Sequence, residues 1–440
     1  MTKTRKRSRS IEEDDANVDV NGQISQSVDE IQSTLLNTST ELLKENIKKR
    51  RPSATKADTK LKQIYNVQKV KKAFDFAKTF VEEDDVIIPN CPLSIATTIK
   101  RACLKNYDNY KTLNDNDKNI VALGANGILD LSKNSPHKDL LGSNVFNILQ
   151  KTYPPSLTSM DIFEDIVCVS DIEKKAKIDL SSARAYANKK ESSAKGFEST
   201  IYDVYSEYLK ILQFKKKVFR KDLDITEGDF AVKVWGPILE STMRDEEEIR
   251  LKWGDSVGDS SGVSKSIGFK VDVRAVYDRF SARKNLKEVD TANVEMARAD
   301  ASIGKITSDR TKLFIENKCV IDRLVFEGIN KEDAVIPCLQ ITGPRAILYS
   351  VRLVANGLYV GTEERRCSLV RNGNDISNFR HAVNLLQTFR RSALSLININ
   401  NQENNRSKKH KDTIMERRST WIPPVNNNNK IPPLPQYLFE

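Results

Sequence analysis

Two short stretches, KVDVRAVYD at 270–278 and NVEMARADAS at 293–302, decide the fold of this chain. In both stretches polar and apolar residues alternate, which is typical of a β-strand with one buried face. Asp272 lies on one face of the first strand, and Glu295 lies on one face of the second. If the two strands are neighbours in a sheet, their carboxylates come together.

Further regular elements follow these strands. A helix is predicted at 309–326, with Ser308 as its N-cap, because a serine oxygen can accept a bond from the first free backbone amides. A buried strand is predicted at 334–341. Asn356 and Gly357 then predict a tight hairpin, since both residues tolerate a positive φ.

The segments on either side differ in composition. Basic clusters, acidic runs and few aromatic residues mark the first part of the chain as unable to bury enough apolar surface to fold. The sequence thus predicts an α+β protein with a disordered tail at 1–58, a helical domain at 59–180, a connector at 181–198, an α/β domain with a central mixed sheet at 199–398 and a disordered Asn- and Pro-rich tail at 399–440.

The overall charge favours polyanionic partners. Lys and Arg number 71 against 60 Asp and Glu, which gives a net charge of +11. The six cysteines are dispersed without a CxxC pair, so we expect reduced thiols in an intracellular protein. The uncharged stretch 86–99 is too short for a bilayer and contains two prolines. We therefore expect no membrane segment, and a location in the nucleus or, alternatively, the cytoplasm.

Two basic clusters suggest specific partners. The first, KKRRPS, contains Lys48, Lys49, Arg50 and Arg51, and it predicts a nuclear localisation signal that a nuclear import carrier would bind. A solvated basic tail is the alternative.

The second cluster, LKILQFKKKVFRK at 209–221, has six basic residues and no acid. It interleaves aromatic and basic side chains, so it could grip the phosphate backbone of DNA or RNA. A solvated helix whose phenylalanines point inward is equally compatible. The predicted nucleic-acid-binding residues are Lys215, Lys216, Lys217, Arg220 and Lys221.

The order helix, acid-bearing strand, second acid-bearing strand, helix and further strand resembles the PD-(D/E)XK nuclease fold. The resemblance implies that Asp272 and Glu295 hold Mg²⁺, with Glu240 on the preceding helix as a third acid. Hard cations prefer oxygen ligands, and a bound ion generates hydroxide and stabilises the charge that develops on phosphorus.

The chain departs from this family pattern at two positions. Ala297 stands where the family has lysine, and Val271 stands where it has proline. Lys312 and Lys270 are candidate replacements for the lysine, although Lys312 also fits an ordinary solvated helix stripe. An active metal-dependent nuclease, a degenerate nuclease fold used for binding, and an unrelated α/β domain with structural carboxylates all stay open.

A second resemblance is closer in sequence but carries no known activity. The strings VWGPILE, LKWGD, FKVDVR and VEMARA are similar to uncharacterised proteins of early-diverging filamentous fungi, over roughly residues 225–330. The leading hypothesis is a nuclear, nucleic-acid-associated protein with a nuclease-like domain. The competing hypothesis is a non-catalytic interaction or scaffold protein with basic disordered tails.

Overall fold

The computed structural model describes residues 93–157, 169–220, 222–244, 247–257, 270–280, 286–404 and 420–423, together with residues 431, 433–435 and 438. These residues form helices around a seven-stranded mixed sheet, which confirms the predicted α+β class. The predicted disordered tail at 1–58 lies outside the described residues.

Helices dominate the part of the chain that precedes the central strands. They are α1 (Ile95–Tyr107), α2 (Asp115–Gly124), α3 (His137–Leu141), α4 (Ser143–Thr152), α5 (Val169–Ile178), α6 (Leu180–Ser193), α7 (Phe197–Phe214), α8 (Glu227–Phe230) and α9 (Gly236–Met243). A π-helical turn, Ala231–Trp235, joins α8 to α9, so that Pro237 falls in the first turn of a new helix. There its missing amide hydrogen is not needed.

The sheet takes strands from both halves of the chain. The strands are β1 (Ile128–Asp130), β2 (Ile249–Val257), β3 (Lys270–Phe280), β4 (Leu286–Ala297), β5 (Ile336–Thr342), β6 (Arg345–Ala355) and β7 (Leu358–Ser368). Their order is β1-β7-β6-β5-β4-β3-β2, with β4 parallel to β5, β1 parallel to β7 and the other neighbours antiparallel. Two long helices, α10 (Ile303–Phe326) and α11 (Phe379–Asn404), complete the fold.

Helices cover both faces of this sheet. On one face, Val273 and Val294 pack in a core with Tyr205 and Tyr208 of α7, and with α9 and α11. On the other face, Phe314 of α10 packs with strand residues and with α1 and α2. Because adjacent residues of a strand point to opposite faces, Asp272 and Glu295 lie on the α10 side of the sheet.

Two strands and one helix boundary differ from the sequence prediction. β1 comes from the stretch predicted as a helical domain, and β2 is not among the strands predicted from the sequence. Residues 181–198, also predicted as a connector, fall largely in α6, whose Ala183 and Ala187 are buried. These alanines present a smooth face to α7, which local composition alone does not reveal.

The predicted start of the helix after β4 is wrong by six residues. Ser302, not Ser308, is the N-cap, and its side chain accepts a hydrogen bond from the Lys305 amide at 3.2 Å. The additional turn contains Gly304, where a Cβ would lie 2.7 Å from Asp115 Oδ2 of α2. The glycine therefore permits the close approach of two helices, although glycine is a poor helix former.

Part of the segment predicted as a disordered tail is packed into the fold. α11 continues to Asn404, and beyond it Trp421 is 2% exposed. The Trp421 ring contacts Tyr107 and Tyr110 edge-on, with centroid distances of 6.1 and 5.5 Å. The Asn126 side chain holds the Trp421 backbone through two hydrogen bonds of 3.0 Å. Asn126 Oδ1 accepts one from the Trp421 amide, and Asn126 Nδ2 donates the other to the Trp421 carbonyl oxygen.

Among the described residues, no helix is both long and apolar enough to cross a membrane.

Candidate acidic site

The two acids predicted from the sequence lie side by side. They are the next residues beyond the Val273–Val294 pair of the antiparallel β3–β4 ladder, so they share one face of the sheet. Asp272 Oδ2 accepts a hydrogen bond from the Met296 amide at 2.6 Å. Glu295 is 2% exposed and forms an ion pair with Lys312 of α10. The structure thus brings together Asp272, Glu295 and the predicted substitute lysine, Lys312.

Helix α10 supplies a second pair of charges. Lys305, Asp309 and Lys312 are spaced by four and three residues, so they project from one side of the helix. Lys305 Nζ lies 2.6 Å from Asp309 Oδ1. Asp309 Oδ2 is buried and has no hydrogen-bond partner among the described residues. A buried carboxylate oxygen without a donor is unfavourable, and a cation at this position would remove that cost.

The first residue of α8 adds a further carboxylate. Thr226 and Asp229 form a capping box around the start of this helix, which orients the half-buried Glu227. Burial raises the pKa of Glu227, and Asp272 adds to the increase while Lys305 opposes it. We name the six charged side chains the acidic site: Glu227, Asp272, Glu295, Lys305, Asp309 and Lys312.

Electrostatics show that this site is short of positive charge. Burial raises the pKa of Glu295 to about 8; Lys312 opposes the increase, and Asp272 and Asp309 add to it. Burial likewise raises the pKa of Asp309, against the effect of Lys305. Four carboxyl groups thus face two ammonium groups in a place where water screens them poorly. Carboxylates that resist ionisation in this way occur often at functional sites.

The other two predicted residues of the site lie elsewhere. Glu240 is exposed on α9 and accepts a hydrogen bond from the Trp253 indole of β2. Glu227, one helix earlier, provides the acid for which Glu240 was predicted. Lys270 is exposed at the first position of β3, two residues before Asp272. Only Lys312 of the two proposed lysines is paired with Glu295 in this structure.

The alanine that departs from the nuclease pattern is closely packed. Ala297 is 2% exposed, pairs with Thr342 of β5, and its carbonyl oxygen accepts the Gly343 amide at 3.0 Å. A lysine at this position would have to displace its closely packed neighbours. In this structure an ammonium group reaches Glu295 from α10 instead.

Divalent-metal binding is not preformed at this site. Within the described ranges, no group of three or more His, Cys, Asp or Glu side chains lies close enough together to hold a metal ion. The Lys312 ammonium group is already paired with Glu295. The donors are nevertheless all carboxylates, which suit Mg²⁺ or Mn²⁺, and one buried oxygen of Asp309 has no donor.

The predicted nucleic-acid-binding cluster packs against α8, the helix that begins with Glu227 of the acidic site. It forms the 3₁₀ turn Lys216–Phe219, in which Lys216 and Lys217 are exposed and Phe219 is buried. The Phe219 ring packs edge-on against Phe230 of α8, with 6.4 Å between centroids. Arg220 is exposed and paired with Asp222. Lys221 and the predicted localisation signal at Lys48, Lys49, Arg50 and Arg51 lie outside the described residues.

A buried histidine is connected to the same helix, α10. His137 Nδ1 accepts the Asp130 amide at 3.1 Å, and the Asp130 carboxylate accepts Arg310 Nε at 3.0 Å. Burial lowers the pKa of His137 to about 4, with Arg310 also lowering it and Asp130 opposing. His137 Nε2 is buried without a hydrogen-bond partner in the described part of the chain.

Because His137 is buried, we expect the folded protein to lose stability in mild acid. The unfolded chain binds a proton on His137 near pH 6.5, whereas the folded chain excludes it until about pH 4. Between pH 7 and pH 5 the unfolding free energy of the wild type should therefore fall by about 2 kcal/mol more than that of His137→Asn. Asparagine is chosen because its side-chain oxygen can still accept a hydrogen bond from the Asp130 amide. Urea unfolding at the two pH values measures this difference. His381→Asn, at an exposed position of α11, should follow the wild type; equal losses in His137→Asn and wild type would contradict the prediction.

Comparisons of this chain with protein-family models, with curated proteins and with solved structures gave no match. The function of the acidic site is therefore argued from its own geometry.

Proposed function

We propose that this chain is a nuclear, nucleic-acid-associated protein whose acidic site is that of a metal-dependent nuclease-like domain. The observation that carries the proposal is the pairing of Asp272 and Glu295 on adjacent strands, with the Lys312 ammonium group on Glu295. The order α9, β2, β3, β4, α10 and β5 supports it, because a helix, two acid-bearing strands, a second helix and a further strand follow one another as in the PD-(D/E)XK nucleases that the chain resembles, with β2 inserted after the first helix.

Five residues of the acidic site have a role in this proposal. Asp272, Glu295 and Asp309, which do not form a ready-made metal site in this structure, would have to converge to hold a divalent cation. Glu227 lies near enough to raise the local negative charge. When bound, such a cation supplies hydroxide and stabilises negative charge on a phosphodiester. Lys312, with its flexible stem, can turn from Glu295 and donate hydrogen bonds to a phosphate oxygen. The Asp272 bond to the Met296 amide keeps that carboxylate oriented.

A second candidate is nucleic-acid binding without catalysis. Two observations favour it: Lys312 already compensates Glu295, and the described residues contain no ready-made group of three metal ligands. In this reading the carboxylates and lysines of the acidic site stabilise the fold, and the basic clusters carry the binding. The two candidates differ in one measurable property, which is cleavage.

Cleavage in the presence of Mg²⁺ or Mn²⁺ tests the proposal. Purified full-length protein should cleave labelled DNA or RNA, and Asp272→Ala should reduce the rate at least a hundredfold, because one ligand of the cation is lost. Asp300→Ala is the matched control, since Asp300 is an exposed aspartate in the loop after β4 and should leave the rate unchanged.

The outcomes separate the two candidates. Equal cleavage by wild type and Asp272→Ala would contradict the site and point to a contaminating nuclease. Binding without cleavage by the wild type, at every metal and substrate tried, would favour the non-catalytic candidate.

Nuclear location is part of the proposal and is tested separately. A fluorescent fusion of the full chain should accumulate in the nucleus, and changing Lys48, Lys49, Arg50 and Arg51 together to alanine should redistribute it to the cytoplasm. Unchanged nuclear accumulation would contradict the signal.

A further inference from the structure

A phenylalanine side chain is exposed to solvent at the end of α7. α6 and α7 form an antiparallel hairpin closed by a short loop, so the end of α7 lies beside the beginning of α6. Phe214, the last residue of α7, is 65% exposed. Large apolar side chains on the surface of a folded domain are usually turned toward the core, and an aromatic ring that is held in solvent often marks a binding site.

One face of this ring is supported by an arginine. The guanidinium carbon of Arg184, on the first turns of α6, lies 5.7 Å from the centre of the Phe214 ring. This cation–π contact holds the ring in place, while most of its surface stays open to solvent. A flat, supported and solvent-facing ring is suited to stacking against another flat group.

Positive charge continues directly from the ring. Lys215, Lys216 and Lys217 follow Phe214 in the chain, and the last two are exposed. The other phenylalanine of the segment, Phe219, points inward against α8. The structure thus separates two aromatic residues that the sequence could not tell apart, since one packs in the core and the other faces solvent among basic side chains.

We propose that Phe214, Arg184, Lys215, Lys216 and Lys217, which we name the Phe214 platform, bind single-stranded nucleic acid. An unpaired base would stack on the open face of Phe214, and the lysines would contact the phosphates on either side. A base inside a duplex has both faces covered by its neighbours and cannot stack in this way. The platform therefore selects single strands over duplexes.

This inference rests on the proposed function, because it names the substrate class of the acidic site. The 3₁₀ turn that carries Lys216 and Lys217 packs on α8 through Phe219 and Phe230. α8 begins with Glu227 of the acidic site. A single strand held by the Phe214 platform would thus lie on the element that borders the acidic site.

Fluorescence anisotropy with the full-length protein tests the platform. Labelled 20-nucleotide oligothymidine, oligouridine and a duplex of the same length serve as probes, with EDTA present so that cleavage plays no part. We expect the wild type to bind the single strands more tightly than the duplex, and Phe214→Ala to weaken single-strand binding about tenfold. Phe214→Trp should preserve binding, since a larger ring still stacks. Comparing oligothymidine with oligouridine tells whether the platform prefers DNA or RNA.

The chain offers a matched control. Phe326, at the end of α10, is 63% exposed, so Phe326→Ala removes an aromatic ring of similar exposure from a different place and should leave binding unchanged. Replacing Lys216 and Lys217 by alanine should lower the slope of log affinity against log salt by roughly 0.7 for each lysine.

Two results would overturn the inference: wild-type affinity in Phe214→Ala, or tighter binding of the duplex than of the single strand. Neither result depends on the acidic site, because the measurement is made without a metal. Absence of cleavage with intact single-strand binding would contradict the nuclease proposal alone.

Discussion

Glu295→Gln is expected to make the protein more stable at neutral and alkaline pH while removing any metal-dependent cleavage. In the folded chain the pKa of Glu295 is raised to about 8, whereas the unfolded chain has the ordinary value of 4.5. The unfolded chain therefore loses its proton first as pH rises, and the folded state loses stability between these two values. Glutamine is neutral throughout and removes this dependence.

The magnitude follows from the size of the pKa difference. Between pH 5 and pH 8 the unfolding free energy of the wild type should fall by about 3 kcal/mol relative to that of Glu295→Gln. Urea unfolding at pH 5, 6, 7 and 8 measures the difference directly. Taking the difference between the two proteins cancels the titration of other groups such as His137.

An exposed glutamate provides the control for this prediction. Glu332→Gln, at an exposed position after α10, should follow the wild-type curve. Parallel curves for Glu295→Gln and wild type would mean that Lys312 keeps Glu295 ionised, so that the pair acts as a buried salt bridge. A more stable but inactive variant would identify Glu295 as a residue retained for function at the expense of stability.

Trp421→Ala is expected to destabilise the protein by about 3–5 kcal/mol. The side chain is almost completely buried between α1 and the 3₁₀ turn after it, so its removal loses apolar contact and leaves a cavity. The same change also loosens the backbone that Asn126 clamps. Denaturant unfolding of the full-length chain measures the effect.

A second tryptophan provides the control for this prediction. Trp253 on β2 is 37% exposed, so Trp253→Ala should cost less than half as much. Asn126→Ala should destabilise the chain too, because it removes both partners of the Trp421 peptide groups. Wild-type stability in Trp421→Ala would show that the segment around it contributes little to the fold.

Local patterns in the sequence were sufficient for part of the acidic site. The two-residue period of β3 and β4 correctly predicts that Asp272 and Glu295 share one face of the sheet. Because Ala297 stands where the nuclease pattern has lysine, the sequence also pointed to Lys312 as the residue that supplies the ammonium group, and Lys312 is paired with Glu295. The alternative of an ordinary solvated helix stripe for Lys312 was wrong, because Glu316, one turn further along the same side of α10, is fully buried.

Other parts of the site depend on contacts between distant segments. Glu227 reaches Asp272 only because α8 packs beside the sheet, and its sequence context indicates no more than a capped helix start. Lys305 was missed because the helix was predicted to begin at residue 309, which left Lys305 in the preceding loop. Asp309 falls in the first turn of the predicted helix, where an acid is favoured by the helix start alone. Ser302, six residues before Ser308, is an equally good N-cap by residue type. The reason for a glycine at position 304 is the close approach of α2, which the sequence alone does not show.

The two edge strands illustrate the same limit. β1 has three residues, and among the described strands its partner is β7, some 230 positions later in the chain, so it leaves almost no local signal. β2 pairs with β3 through an irregular register between Trp253 and Ser256, which disrupts the alternation by which a strand is recognised.

The position of Trp421 has a consequence for how the protein is made. Its ring, with Leu434 and Leu438, completes a core whose other members come from earlier in the chain, among them residues of α1, α2, α10 and strands β4 to β7. During synthesis from the N-terminus, this core stays open on the ribosome until those last apolar residues have left the exit tunnel. Folding of the domain is therefore finished only after Leu438 has left the exit tunnel.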